Sequence, residues 1–449
     1  MRRRALPVLG AFLLIAAACS SNSGSATGDT GTTSPATSPV GSPAPTATSP
    51  GSPTGAPTDS APGTPTGIPI VVGSTLPLTG AFAATGLIHQ IAGQEFVDRL
   101  NASGGLLGRP VQWKVLDDGS DTAKVSQLYE QLISQDKVDL LMGPYATPNI
   151  LAAMAVAERH GYVLPQHTAV LAPQLTYSCQ FPGWSIGPTP NQFIPNQLFD
   201  ALDSLSPKPT KIALVTSQSG SAAFVTDGYG DDKSGFTTIA PQRGYQIVLN
   251  QKYPPTTTDW SSLATQVRDA KPDIVINNGL GVDTVNLLTA MKQLNYTPPM
   301  TYSLFPAPGP LLGFGLNGVL SVSIFEPNDS LLSTLDPSAA DIVSDFKTRA
   351  TAAKAPYTVF ETQAAASWNA WQILADGVKG AGSLDQKSIC DWLHANGADT
   401  TFSGHLTFDP KSDNFWAPTL MLKQIQNGNW VVVWPKDKAA APLQGPSGS

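Results

Sequence analysis

Val138-Asp139-Leu140-Leu141-Met142-Gly143-Pro144-Tyr145-Ala146-Thr147-Pro148-Asn149 reads as a short buried strand, a glycine–proline turn and the opening of a helix. An apolar run of this length between turn residues fits a strand covered on both faces. Thr147 can cap a helix, and Pro148 stands where its missing N–H costs nothing. Asn149 and Ile150 would then offer free N–H groups at the positive end of the helix dipole, an anion site. The same unit recurs on both sides of this stretch. Upstream, Ile70–Gly73 and Val111–Leu116 read as strands, Thr85–Leu100 and Thr122–Ser134 as helices. Downstream, a helix to His160 leads to a strand at Tyr162–Leu164. The rhythm restarts with strands at Lys211–Val215, Tyr245–Leu249 and Asp273–Asn277 and helices at Ser261–Ala270 and Asp283–Leu294. Such alternation predicts βαβ units and parallel sheets. Two series predict an α/β protein of two Rossmann-like, doubly wound lobes, with ligands beyond the carboxyl ends of the strands.

The 449 residues allow about two domains plus extensions, at roughly 100–200 residues per domain. Lys+Arg 26 against Asp+Glu 33 gives a net charge of −7, which argues against nucleic acid as a partner. Arg2, Arg3 and Arg4 precede an apolar stretch, Ala5–Ala18, which is the pattern of a signal peptide and too short to span a bilayer. Ile15-Ala16-Ala17-Ala18-Cys19-Ser20 resembles a bacterial lipobox, with Ala16 where Leu, Ile or Val is usual. Residues 1–19 are therefore read as a lipoprotein signal with lipid attached at Cys19; the alternative is an ordinary cleaved signal with an incidental cysteine. Residues 20–66, dominated by Ser, Thr, Pro and Gly, are read as a disordered tether.

Enzyme motifs are present only in fragments. Ser134–Lys137 matches S-x-x-K and Ser412–Asn414 matches S-D-N, without the K-T-G that would complete a penicillin-recognising set. Gly313–Gly318 fits G-x-G-x-x-G but follows no strand. His89, His160, His167, His394 and His405 lack ligand spacing. No catalytic residue, metal or cofactor is assigned.

Leu78-Thr79-Gly80, Gly86, Gly93, Asn101–Gly105, Gly108-Arg109-Pro110, Asp117-Asp118 and Gly143-Pro144 together resemble the leucine/isoleucine/valine-binding proteins, extracytoplasmic solute receptors of ABC importers. The likeness runs from about Ile68 to Trp434, including Ala172–Thr176 and Leu406–Asp409. It implies a type I periplasmic binding protein fold in which three crossings join the lobes, near Pro188–Pro190, Ser321–Ser323 and Trp416–Pro418. Lobe 1 would hold 67–188 with 323–416 and lobe 2 190–321 with 417–438, leaving 439–449 as a flexible tail. Cys179 and Cys390 then share lobe 1 in an oxidising compartment and are expected to pair, the alternative being two buried thiols.

The resemblance also implies a cleft set. The turn with a hydroxyl residue where Thr147 lies holds the substrate carboxylate in that family, so Thr147 is read as both cap and ligand contact, beside Tyr145. Phe82 and Thr85 stand at the lid position, Thr168 in the following turn, and Tyr229 before Gly230 in lobe 2, after a long loop at Ser217–Gly228. Leu280, Phe305 and Val359 fall where a tyrosine, an acid and an aromatic are expected. With Phe305 in place of the acid, the cleft reads as lacking a partner for an ammonium. The ligand is accordingly expected to be neutral or a carboxylate with an apolar body, unless Asp283 or Glu361 reaches the site. The implied protein is a monomeric, lipid-anchored receptor outside the cell membrane that hands a solute to an ABC permease and its ATPase. The alternatives are an extracellular sensor module and, less well supported, a lipoprotein hydrolase.

Overall fold

Strands and helices alternate as the pattern predicts. The computed structural model describes residues 63–446 apart from 280–281, 306–307 and 418–419. The signal at 1–19 with Cys19, nearly all of the tether and Leu280 lie outside the described residues. The first series comprises β1 (Ile70–Leu76), α1 (Ala83–Ala102), β2 (Val111–Asp117), α2 (Thr122–Ser134), β3 (Leu140–Leu141), α3 (Thr147–His160), β4 (Leu164–Gln166) and β5 (Gln180–Pro182). The second runs α4 (Pro190–Asp203), β6 (Lys211–Ser217), α5 (Gly220–Asp227), α6 (Phe236–Gln242), β7 (Gln246–Tyr253), α7 (Ser261–Ala270), β8 (Ile274–Asn278), α8 (Asp283–Gln293), β9 (Thr301–Ser303), α9 (Pro308–Leu312) and β10 (Val319–Ser323). There follow α10 (Asp329–Leu332), α11 (Ser338–Ala352), α12 (Thr362–Ala381), α13 (Gln386–Asn396), β11 (Ala398–Thr400), β12 (Gly404–Leu406), β13 (Met421–Gln426) and β14 (Asn429–Trp434).

The first lobe carries the parallel order β2-β1-β3. The parallel pair β4-β5 continues it through the bond from Gly143 N–H to Pro165 O, 2.8 Å. The second sheet has the order β14-β13-β10-β9-β8-β6-β7, parallel from β7 to β10 and antiparallel at β13 and β14. Its inner strands β6, β8 and β10 are buried almost throughout, as a sheet covered on both faces requires.

Residues 324–416 return to the first lobe. Helix α12 is buried along most of its length and lies so close to α1 that a Cβ on Gly93 would sit 2.6 Å from both Trp113 and Trp371. The crossings touch: Ser185 Oγ donates to Trp416 O at 2.6 Å and Trp416 Nε1 to Pro182 O at 3.0 Å.

Three expectations change. Ser321–Ser323, read as a crossing, belongs to β10, because Ser321 pairs with Lys423 and Ser323 with Met421. The supposed long loop at Ser217–Gly228 holds α5, which buries Ala222, Phe224 and Val225. The tail is held as far as it is described: Gln424 Nε2 donates to Gln444 O and Gln426 Nε2 to Pro442 O, both 2.9 Å.

Cys179 and Cys390 form a disulfide that ties the approach to β5 to α13, 211 residues away. A crosslink closing so long an interval removes much of the unfolded chain's freedom. Replacing both cysteines by alanine should lower the urea-unfolding free energy by about 2–5 kcal/mol. Alkylation mapping of the unfolded, unreduced chain should find both positions unmodified; labelling at either would refute the pairing.

Candidate functional site

The lip of the first lobe is built by Asp117. Its carboxylate accepts from Leu78 N, Thr79 N and Gly119 N and from Thr79 Oγ1, at 2.7–3.1 Å. Ser120 Oγ donates to Thr79 O and accepts from Phe82 N–H. Gly80, at φ +84°, makes the turn, and an added Cβ would meet Gly119 O at 2.5 Å. The Leu-Thr-Gly and Asp-Asp motifs thus form one clamp that sets Phe82 at the head of α1.

Behind Phe82 lies a stack of rings. Phe82 meets Tyr145 edge-on at 5.9 Å, Tyr145 meets His89 at 5.1 Å, and His89 stacks on His167 at 4.4 Å. His89 Nε2 is 3.1 Å from Gln363 Oε1 at the start of α12. Neither nitrogen of His167 has a hydrogen-bond partner among the described residues. Burial holds His89 down to about 3, the bond to Gln363 opposing only in part. Burial, and then the neighbouring His89, holds His167 well below the usual range. Both rings are therefore neutral at physiological pH.

Two cavities open in front of this stack, and Phe82 and Gln363 line both. The smaller, about 40 Å³, is polar-rimmed by Thr147, Thr168 and Trp184 from the first lobe and by Ser219 and Ser221 from the second, with Phe305 as its apolar wall. Trp184 Nε1, Thr168 Oγ1 and Ser219 Oγ are buried there without a protein partner. Buried polar atoms are normally satisfied, so three orphans around one space mark a place for a ligand or water. The larger cavity, about 270 Å³, is bounded by Ala81, Thr85 and Ile88 on one side and Pro255, Val282 and Pro310 on the other.

Asp283 and Glu361 also line this larger space. Asp283 Oδ2 accepts from Tyr253 OH at 2.8 Å. Glu361, fully buried, caps α12 by accepting from Gln363 N at 3.2 Å, while its Oε2 has no hydrogen bond and lies 3.8 Å from Lys423 Nζ. Lys423 is committed to Glu326, which also accepts from Ser323 Oγ at 2.8 Å. Burial pushes the Glu361 carboxyl up to about 7; Lys423 opposes this and Glu326 adds to it.

Of the residues singled out from sequence, Phe82, Thr85, Tyr145, Thr147, Thr168 and Phe305 come together at the two cavities. Val359 lines a separate surface cavity with Tyr357 and Asn429, so it is not part of the cleft. Tyr229 is 44% exposed and accepts from Gln174 Nε2 at 2.8 Å, a contact between the lobes outside both cavities. Thr147 is the first residue of α3 rather than its cap; that place falls to Ala146, at φ +76°, and Thr147 Oγ1 accepts from Val170 N–H at 3.0 Å. Ile150 N–H is not free, since it donates to Ala146 O at 2.9 Å. The N–H groups of Thr147 and Asn149 have no carbonyl four residues back within the helix. No acid stands at the Phe305 position, as expected, but the two acids named as the exception, Asp283 and Glu361, line the larger cavity, brought there by α8 and the cap of α12. The sequence reading also passed over Trp184, Ser219, Ser221, Gln363 and the His89–His167 pair. Among the described residues no group of three or more His, Cys, Asp or Glu could hold a metal ion, and no helix is long and apolar enough to cross a membrane.

Residues 69–429 match the family described as periplasmic binding protein, and the chain belongs to it. Leu/Ile/Val-binding protein homolog 8 of Brucella abortus is 27% identical over 238 residues, covering 50% of this chain and 55% of that protein. Homolog 7 of the same organism is 25% identical over 236 residues, covering 51% of this chain and 57% of that protein. The chain thus spans about half the length of the curated relatives it matches. The branched-chain amino acid transporter substrate-binding protein of Streptococcus pneumoniae, solved with isoleucine, superposes with a TM-score of 0.64 at 20% identity, covering 82% of this chain and all of that one. A solute-binding protein of an ABC transporter from R. palustris, solved with benzoate, gives 0.62 at 19%, covering 84% and 98%. The fold is that of a type I periplasmic binding protein, a solute-binding receptor fold of two Rossmann-like lobes.

The buried imidazoles have a consequence in acid. In the unfolded chain His89 takes up a proton below about 6.5, whereas in the folded chain it resists protonation down to about 3. Its contribution to stability is therefore complete above pH 6.5 and is lost as pH falls toward 3. Between pH 6.5 and 5 the His89→Gln variant should lose less stability than the parent by roughly 2 kcal/mol, measured by urea unfolding. Equal losses would mean that His89 charges without cost in the folded state.

Proposed function

We propose that this periplasmic binding protein captures a small organic solute between its lobes and delivers it to the permease and ATPase of an ABC importer. It makes and breaks no bond. The observation that carries this reading is the pair of cavities lined from both lobes, the smaller by residues of each lobe whose buried polar atoms have no partner among the described residues. A ligand held by both walls binds the closed arrangement better than the open one and shifts the population toward it.

The larger cavity is close to the lower end of the roughly 300–1,000 Å³ typical of small-molecule sites. Isoleucine and benzoate, the ligands of the two solved relatives, are solutes of that scale. In this reading the N–H groups at the start of α3 and the Trp184 indole receive the acceptor head of the solute. Cys19 carries the lipid that anchors the receptor outside the cell membrane, and residues 20–66 give it reach. It works as a monomer, with no part for nucleic acid or cofactor.

Solute extracted from the purified full chain should be identified by mass spectrometry and returned to the stripped protein. Small-angle scattering should then show a smaller radius of gyration at saturation. An unchanged radius, or no retained solute and no binding, would defeat the receptor reading.

A further inference from the structure

The two cavities differ in their acids. The carboxylates Asp283 and Glu361 line only the larger, beside Thr85, Thr257, Asn286 and Tyr357, whereas Thr147, Thr168, Trp184, Ser219 and Ser221 line only the smaller, whose lining holds no acid. Phe82 and Gln363 stand between them, lining both. An α-amino acid carries carboxylate and ammonium on one carbon, so it cannot place its two charges in separate chambers. We propose that the natural ligand is an extended amino compound, with its acceptor or carboxylate head in the small chamber and its ammonium in the large one, against Glu361 and Asp283. This rests on the receptor reading above.

The electrostatics of the large chamber support it. Lys423, fully buried, faces two carboxylates, and Glu326 takes its ammonium directly. Glu361, a lining residue of the cavity, is left with a buried Oε2 that has no hydrogen bond and lies 3.8 Å from that ammonium. Once ionised, Glu361 gives this buried group an excess negative charge, and an unbalanced buried charge is costly. In the empty site a proton relieves it, which is why burial holds the carboxyl up at about 7. A ligand ammonium can take the proton's place. The other titratable groups facing Glu361 do not supply a cation. Tyr357 precedes α12, Tyr145 precedes α3, and Asp283 lies on the opposite wall at the head of α8. Behind Gln363, His89 is neutral. The apolar surfaces of Ala84, Ile88, Pro255 and Pro310 suit a methylene chain between the two heads.

Binding of the ammonium should therefore expel the Glu361 proton and tighten with pH. The test is calorimetry on the stripped full chain with leucine, ε-aminocaproate and caproate, at pH 6 and pH 8. We expect ε-aminocaproate to bind at least about tenfold more tightly than either leucine or caproate, and to gain about tenfold from pH 6 to 8, while caproate gains nothing. Glu361→Gln should abolish the pH gain, and Asp283→Asn should weaken ε-aminocaproate while leaving caproate unchanged. If a variant does not fold, the pH dependence of the parent decides alone. Leucine or caproate binding as tightly as ε-aminocaproate, or a flat pH profile, overturns the proposal. A retained solute without an amine overturns it too and leaves the receptor reading standing. No retained solute and no binding of any probe sinks both.

Discussion

Lys423 stands wholly buried on β13, and an ammonium in that position cannot persist without carboxylates around it. The requirement fixes more than one ion pair. Glu326 follows directly from the end of β10, and Ser323 Oγ bonds both Glu326 and Thr362 Oγ1, at 2.8 and 2.9 Å. Thr362 opens α12, whose cap is Glu361. One lysine of the second sheet therefore gathers the place where the chain leaves that sheet and the start of the helix that packs on the first lobe. Removing one partner of such a group strands the other charges, so the arrangement holds together as a unit. Glu361 also lines the larger cavity, so the lysine's surroundings and the candidate site share a residue.

At the lip of the first lobe, order comes from hydrogen bonds to a single exposed carboxylate. Asp117 spends both oxygens on the turn from Leu78 to Gly80 and on Gly119, and Ser120 then fixes Phe82. Neither aspartate of the Asp117-Asp118 pair lines either cavity. Asp118 accepts instead from Thr75 Oγ1 at 2.9 Å and from Ser120 N–H. A motif that marks the family in sequence therefore serves to place an aromatic ring, and the ligand-facing chemistry comes from residues far from it in the chain.

That division explains what could be read from sequence. Periodicity is local, and α2 and α7 fall where their patterns put them, at 122–134 and 261–270. The cap chemistry of α3 was legible to within one residue; the error at Thr147 arose because its hydroxyl serves Val170 in a distant loop, which no local signal announces. Helix α5 was missed because Ser-Gly-Ser at its start reads as a loop, yet Phe224 and Val225 bury its inner face. The terminal hairpin had a usable signal in Asn427-Gly428, both at positive φ between β13 and β14, the turn chemistry of a tight hairpin. The acids of the cleft could be named as candidates from sequence, but nothing local placed them. Glu361 looks like an ordinary helix cap and Asp283 like a first-turn acid, and only tertiary packing turns both toward one space.

Ala146 shows what the site demands of its backbone. A non-glycine residue at φ +76°, ψ +139° lies in a sparsely populated region and costs of order 1–3 kcal/mol. The surroundings must therefore over-determine it. Met142, three residues before Tyr145, accepts from the buried Tyr129 hydroxyl; Gly143 is bonded to Pro165, and a Cβ there would meet Gln166 at 2.9 Å; Ile150 N–H closes the first turn of α3 on Ala146 O. Tyr145, Ala146, Thr147 and Pro148, the residues of this turn, all line the small chamber. Thr147 Oγ1 accepts from Val170 N–H, which fixes the position of the oxygen and leaves its O–H as a donor. Preorganisation of this kind spares the binding step the ordering it would otherwise require. The turn at Ala146 is thus fixed by bonds within the first lobe itself, on both sides of the strained residue.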